Sequence, residues 1–69
     1  MQGENSPSNR LVRESERRQI TGVPTSTWYL LMNAGQAPKP VPLTKQARGW
    51  VESELLDWVQ ARIQERDSA

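Results

Sequence analysis

Three hydroxyl side chains, Thr25, Ser26 and Thr27, directly follow Pro24. Proline suits the first position of a helix, because its missing N–H would be unpaired there anyway. Hydroxyl groups and the free N–H groups of a helix N-terminus both bind phosphate oxygens and base edges. The same residue types also cap helices without binding a ligand. The run is therefore a candidate contact with a polyanion, and helix capping alone is the alternative.

Tyr29, Leu30 and Asn33 lie on the outward side of the helix that this run would begin. Apolar residues at helical spacing predict a buried stripe formed by Trp28, Leu31 and Met32. Of the outward residues, Asn33 is suited to bond adenine and Leu30 to contact a thymine methyl group. Leu30 is equally consistent with a subunit contact or with no role, because single apolar residues are common on protein surfaces.

The cations are concentrated in the first fifty residues. Residues 10–50 contain seven Lys and Arg against two Glu, a balance of +5, whereas residues 51–69 contain two Arg against five acids, a balance of −3. This asymmetry favours a surface that faces a polyanion, with a mixed surface that binds no partner as the alternative. The candidate phosphate contacts are Arg17, Arg18, Lys39, Lys45 and Arg48. Gln46 joins the last two in a polar turn, and a simply solvated turn is its alternative.

The composition excludes most catalytic chemistry. The 69 residues include no His and no Cys, which removes imidazole bases, thiol nucleophiles, zinc sites and disulfides. A chain this short also has little room for a substrate pocket, so we expect no enzymatic activity, no cofactor and no bound metal. The longest apolar run has five residues against the roughly 20 that span a bilayer, and we expect a cytoplasmic protein.

Local signals predict the first elements of one domain over residues 10–69. Residues 1–9 are polar and predict a disordered leader. Residues 10–13 predict a short extended segment whose two apolar side chains, Leu11 and Val12, enter the core. Ser15 is expected to cap a first helix over residues 16–21, which Gly22 ends by adopting a left-handed conformation.

A turn and a second helix over residues 24–34 follow, and together they predict a helix-turn-helix. Prolines at positions 38, 40 and 42 exclude helix and a central strand, so residues 41–51 predict a hairpin with an edge strand. Residues 52–67 have the spacing of a longer helix that covers the core. This order is typical of a winged helix-turn-helix, mainly α with a small β-hairpin, which would insert helix 24–34 into the major groove and use hairpin 41–51 as the wing.

Three motifs in combination resemble a known family. They are T-G-x-x-x-S-T-x-Y from Thr21 to Tyr29, P-K-P-V from Pro38 to Val41, and G-W-x-E-S-E-x-x-x-W from Gly49 to Trp58. The sequence after residue 9 resembles the AlpA-like regulators of phages and prophages, which are related to MerR-type winged helices and to phage excisionases. The resemblance implies a DNA-binding protein without enzymatic activity that activates transcription or directs prophage excision.

This chain departs from the family pattern at three candidate site residues. The family usually carries a basic residue at the positions of Thr25 and Leu30, and an arginine at that of Gln46. We expect a sequence-specific regulator that binds double-stranded DNA and controls a prophage or integrative element. The alternative is an excisionase-type accessory or protein-interaction module with weak DNA binding, in which Tyr29 and Leu30 contact a recombinase or a second copy of the chain.

Overall fold

The computed structural model describes residues 10–68. The predicted disordered leader, residues 1–9, lies outside the described residues. The elements follow one another in the order β1 (Leu11–Val12), α1 (Glu14–Thr21), α2 (Thr25–Asn33), β2 (Val41–Pro42), β3 (Arg48–Val51) and α3 (Glu52–Ser68). This order confirms the predicted winged helix-turn-helix class, with one strand more than the predicted hairpin.

Helix α1 begins two residues earlier than predicted. Arg13 precedes it in an extended conformation and accepts the first helical hydrogen bond, from the Arg17 N–H at 2.8 Å. Ser15 is therefore inside the helix, and its predicted capping role is wrong. The other end is as predicted, because Gly22 adopts a φ of 73° and donates its N–H to the Arg18 carbonyl at 2.7 Å.

The three strands form one antiparallel sheet in the order β1-β3-β2. Val12 pairs with Trp50 in β1 and β3, and both side chains are buried. Because neighbouring residues of a strand point to opposite faces, Leu11 faces outward and remains 40% exposed. The expectation that Leu11 also enters the core is wrong for this reason. The proline-containing strand β2 lies at an edge, as predicted.

The core lies between the sheet and the three helices. Its buried apolar residues are Val12, Trp28, Met32, Trp50 and Leu55. The Trp28 and Trp58 rings meet edge to face at 5.1 Å, and Trp58 Nε1 donates to the Gln36 carbonyl at 2.8 Å. These contacts hold α3 against α2 and against the loop that follows it.

Helix α3 packs against α1 and β3 with its first half, whereas residues 60–68 are exposed along their whole length. The predicted buried face of this helix therefore ends near Val59, and Ile63 is 36% exposed. No helix within residues 10–68 has the length and apolar character needed to cross a lipid bilayer.

Candidate nucleic-acid interface

The outward face of α2 is open to solvent. Ser26, Tyr29, Leu30 and Asn33 recur at helical spacing along this face, and all four are exposed. Tyr29 is 43% exposed and Leu30 is 70% exposed, which is the largest exposure among the bulky apolar side chains of residues 10–68. Helix α3 meets α2 through Trp58 and the buried Trp28, which lies on the opposite side of α2, so this face remains uncovered.

The first turn of α2 retains free donors. The first helical hydrogen bond of α2 runs from the Trp28 N–H to the Pro24 carbonyl at 2.9 Å, so the N–H groups of residues 25–27 have no acceptor within the helix. Ser26 and Thr27 are exposed beside them. Thr25 differs, because its hydroxyl donates to Glu14 Oε2 at 2.6 Å and its proton is not available to a ligand.

Arg17 does not lie on this surface. Its side chain is 0% exposed, and its guanidinium donates to both carboxylate oxygens of Glu14. It also donates to Thr21 Oγ1 at 3.2 Å and to the Val23 carbonyl at 2.5 Å. The predicted phosphate contact is therefore wrong for Arg17, because all its hydrogen bonds are made inside the protein.

The buried guanidinium also stacks on the core. Its central carbon lies 4.8 Å from the centre of the Trp28 ring and 5.9 Å from that of Trp50. A cation over an indole face is attracted by the ring quadrupole, most strongly when both are removed from water. Arg17 thus joins α1, the helix-turn-helix turn, α2 and β3, and it fixes how α2 is presented.

Two depressions lie between α2 and the wing, which comprises β2, β3 and the tip between them. The first, here called the wing groove, has a volume of about 430 Å³ and is lined by Tyr29, Met32, Asn33, Lys39, Pro40 and Arg48. The second, called the N-terminal cleft, has a volume of about 250 Å³ and is lined by Arg13, Glu14, Tyr29, Gln46, Arg48 and Trp50. Tyr29 and Arg48 belong to both, so the two depressions adjoin.

The structure thereby brings five of the predicted site residues together, namely Tyr29, Asn33, Lys39, Gln46 and Arg48. Lys45 lies at the exposed wing tip, where Thr44 Oγ1 accepts the N–H groups of Gln46 and Ala47 at 3.2 and 3.0 Å. Arg18 lies apart from the wing, in a third depression of about 360 Å³ that Gly22 and Pro24 also line.

Ion pairing divides the cations into two groups. Within residues 10–68, Arg10 pairs with Glu16 and Glu52, Arg17 with Glu14, Arg62 with Glu65, and Arg66 with Asp67. The cations without an ion pair among these residues are Arg13, Arg18, Lys39, Lys45 and Arg48. Four of those five are predicted site residues. Sequence reasoning missed Arg13, although its position next to the inward-facing Val12 was a signal that its side chain faces outward.

Glu14 lines the N-terminal cleft, and its carboxylate is paired with the guanidinium of Arg17. Partial burial raises the pKa of Glu14, but hydrogen bonds from Arg17 and Thr25 and the charges of Arg17 and Arg18 outweigh it. The pKa of Glu14 therefore lies below its ordinary value, and the carboxylate stays ionised. Within residues 10–68, no group of three or more acidic side chains is placed to hold a metal ion.

Comparison with known proteins gives a family for most of the chain. Residues 10–63 match the family model described as the prophage CP4-57 regulatory protein (AlpA). The match begins one residue before β1 and extends into α3, so it includes α2, the wing and both depressions between them. No match is found among curated proteins.

Proposed function

The chain belongs to the AlpA family of prophage regulatory proteins, and on this premise we propose that it binds double-stranded DNA to control transcription or excision of a prophage or integrative element. In this proposal, the exposed face of α2 enters the major groove and the wing contacts the adjacent backbone.

The observation that carries the proposal is the division of the cations by ion pairing. Lys39, Lys45 and Arg48 have no ion pair within residues 10–68. Lys39 and Arg48 line the wing groove together with Tyr29 and Asn33 of α2, and Lys45 lies at the exposed wing tip. Unpaired cations beside an exposed helix supply the charge that neutralises phosphates while the helix approaches the base edges.

Each group of residues has a separate task in this mechanism. Lys39, Lys45 and Arg48, together with Arg18 beside the helix-turn-helix turn, contact phosphates and add affinity without sequence preference. Asn33 and Leu30 contact base edges, where an amide pairs with adenine and a leucine packs against a thymine methyl group. Ser26 and Thr27, with the free N–H groups of the first turn, bind a phosphate or a base edge near the start of α2.

Selection of bound fragments from random duplex DNA, followed by titration of the recovered duplex at several KCl concentrations, tests this proposal. Four phosphate contacts predict that log affinity falls with log salt at a slope of about −3.6. A recovered consensus sequence is expected from the contacts of α2 with base edges. A slope indistinguishable from zero, or a pool that never departs from random sequence, would contradict the proposal.

The exposure of Leu30 supports a second candidate function, an apolar contact with a recombinase or with a second copy of the chain. Leu30 is 70% exposed beside Tyr29, and aromatic and apolar side chains on a helix face are typical of groove-binding contacts. Leu30→Lys separates the two functions, because an added cation strengthens DNA binding but disrupts an apolar contact. Sedimentation of the variant with and without DNA measures both effects.

A further inference from the structure

Arg13 is the one unpaired cation of residues 10–68 to which the proposed function gives no task. Its backbone is held in place, because it is the N-cap residue of α1 and its carbonyl accepts the Arg17 N–H at 2.8 Å. Val12, one residue earlier, is buried against the core. The Arg13 side chain therefore starts from a fixed point and faces outward.

Arg13 lines the N-terminal cleft together with Tyr29, Gln46 and Arg48. The two guanidinium groups, the phenol and the amide are all hydrogen-bond donors, so the cleft is suited to an anion. Its carboxylate, Glu14, accepts hydrogen bonds from Arg17 and Thr25, neither of which faces the cleft. Arg13 and Arg48 thus contribute two positive charges that no acid of residues 10–68 compensates directly.

The cleft is continuous with the wing groove, since Tyr29 and Arg48 line both. Unpaired cations therefore follow one path around Tyr29, with Lys39 on one side, Arg48 in the middle and Arg13 on the other. A run of cations along a shared surface matches a chain of phosphates better than it matches a single small anion. Arginine in particular presents a planar fork that binds phosphate oxygens in pairs.

We propose that Arg13 binds a backbone phosphate of DNA in the N-terminal cleft, next to the phosphate that Arg48 contacts, so that the DNA strand beside α2 is held between the start of α1 and the wing. This inference rests on the proposed function and adds a fifth phosphate contact to it. The expected slope of log affinity against log salt for the unmodified chain then becomes about −4.5 instead of −3.6.

Arg13→Gln and Arg10→Gln form a matched pair that tests the inference in the full chain. The two arginines lie three positions apart and the substitutions change net charge equally, but Arg10 is engaged by Glu16 and Glu52. Arg13→Gln is expected to reduce the steepness of the slope by about 0.9. When KCl rises fourfold, the factor by which the variant loses affinity is therefore expected to be about 3.5 times smaller than for the unmodified chain. Arg10→Gln is expected to leave the slope unchanged.

Failure of the inference differs from failure of the proposed function. If Arg13→Gln has the slope of the unmodified chain while Arg48→Gln has a shallower one, the protein binds DNA but Arg13 does not contact a phosphate. If the unmodified chain has no salt-dependent affinity for duplex DNA, the proposed function itself is wrong.

Chemical modification of the unmodified chain gives a second measurement that does not depend on a variant's folding. An arginine-specific dicarbonyl reagent is expected to modify the exposed Arg13 in the free protein and to leave it unmodified when a mixed-sequence duplex is bound. Arg66, which is exposed on the projecting part of α3, serves as the internal reference. Equal modification of Arg13 with and without DNA would overturn the inference.

Discussion

Replacing Arg17 with methionine removes a buried guanidinium while keeping a long, flexible side chain in its place. The side chain is fully buried, and its hydrogen bonds reach Glu14, Thr21 and the Val23 carbonyl. The neighbouring Arg18 is exposed and has no ion pair within residues 10–68, so Arg18→Met is a control with the same chemistry one position along α1.

Contributions of opposite sign determine how much Arg17→Met lowers the free energy of unfolding. The Val23 carbonyl loses its donor, and a buried polar group left without a partner costs about 1 to 3 kcal/mol, whereas Thr21 Oγ1 keeps its hydrogen bonds with the Arg17 carbonyl and the Val23 N–H. Loss of the stacking on Trp28 removes about 1 to 2 kcal/mol more. Glu14 remains partly exposed and becomes hydrated, and burying the methionine side chain recovers part of the loss. A net destabilisation of about 2 to 3 kcal/mol remains.

Thermal unfolding followed by circular dichroism measures this loss. Each kcal/mol lowers the Tm of a domain of this size by about 4 to 8 °C, so Arg17→Met is expected to lower the Tm by about 10 to 20 °C. Below its Tm, it is expected to keep the salt slope of DNA binding. Arg18→Met is expected to do the opposite, leaving the Tm nearly unchanged and reducing the steepness of the slope by about 0.9. An Arg17→Met variant with an unchanged Tm and a shallower slope would refute the internal role of Arg17.

Three further predictions concern other parts of the domain. Asn33→Ala is expected to change the base preference recovered by selection, whereas Lys45→Ala is expected to weaken binding to all sequences alike. Identical base preferences for Asn33→Ala and the unmodified chain would show that Asn33 does not recognise a base. Because the pKa of Glu14 is lowered by folding, its stabilising contribution is present above the ordinary carboxyl pKa and is lost as the pH falls through the lowered value. Glu14→Gln should therefore have a lower Tm at neutral pH and a shallower fall of Tm in acid, and parallel Tm curves would contradict this. Gly49→Ala is expected to lower the free energy of unfolding, measured by chemical denaturation, by about 1 to 3 kcal/mol, because the new Cβ would lie 3.0 Å from the backbone oxygen of Val12. An unchanged denaturation midpoint would mean that the sheet accommodates the Cβ without cost.

Signals within a few residues of sequence predicted most of the fold. The left-handed Gly22 ends α1 and alternate prolines confine β2 to a sheet edge. The pairing of β1 with β3 joins segments about forty residues apart, and a two-residue strand carries too little periodicity to predict such a pairing. The start of α1 was missed because Arg13 caps it through its backbone alone, without the side-chain hydrogen bond that capping signals describe.

The role of Arg17 was beyond sequence reasoning for a different reason. An arginine next to another arginine on a short helix is typical of a solvated surface, since arginine is almost never fully buried unless it is paired. Glu14 three residues earlier supplied part of that pairing and was visible in the sequence. The Val23 carbonyl and the Trp28 and Trp50 rings complete it, and they surround Arg17 only after the turn and the sheet have formed.

The division of the arginines also explains how a chain with a net charge of +1 can present one charged face to a polyanion. Pairing within the fold cancels the cations of Arg10, Arg17, Arg62 and Arg66, so they add little to the field outside the molecule. Among residues 10–68, the unpaired cations lie near α1, α2 and the wing, whereas the unpaired acids Glu54 and Asp57 are exposed on α3. In the proposed function, this distribution of charge is expected to turn α2 toward DNA and α3 away from it during approach. Orientation of this kind needs no large net charge, because it depends on which charges the fold leaves unpaired and where they lie.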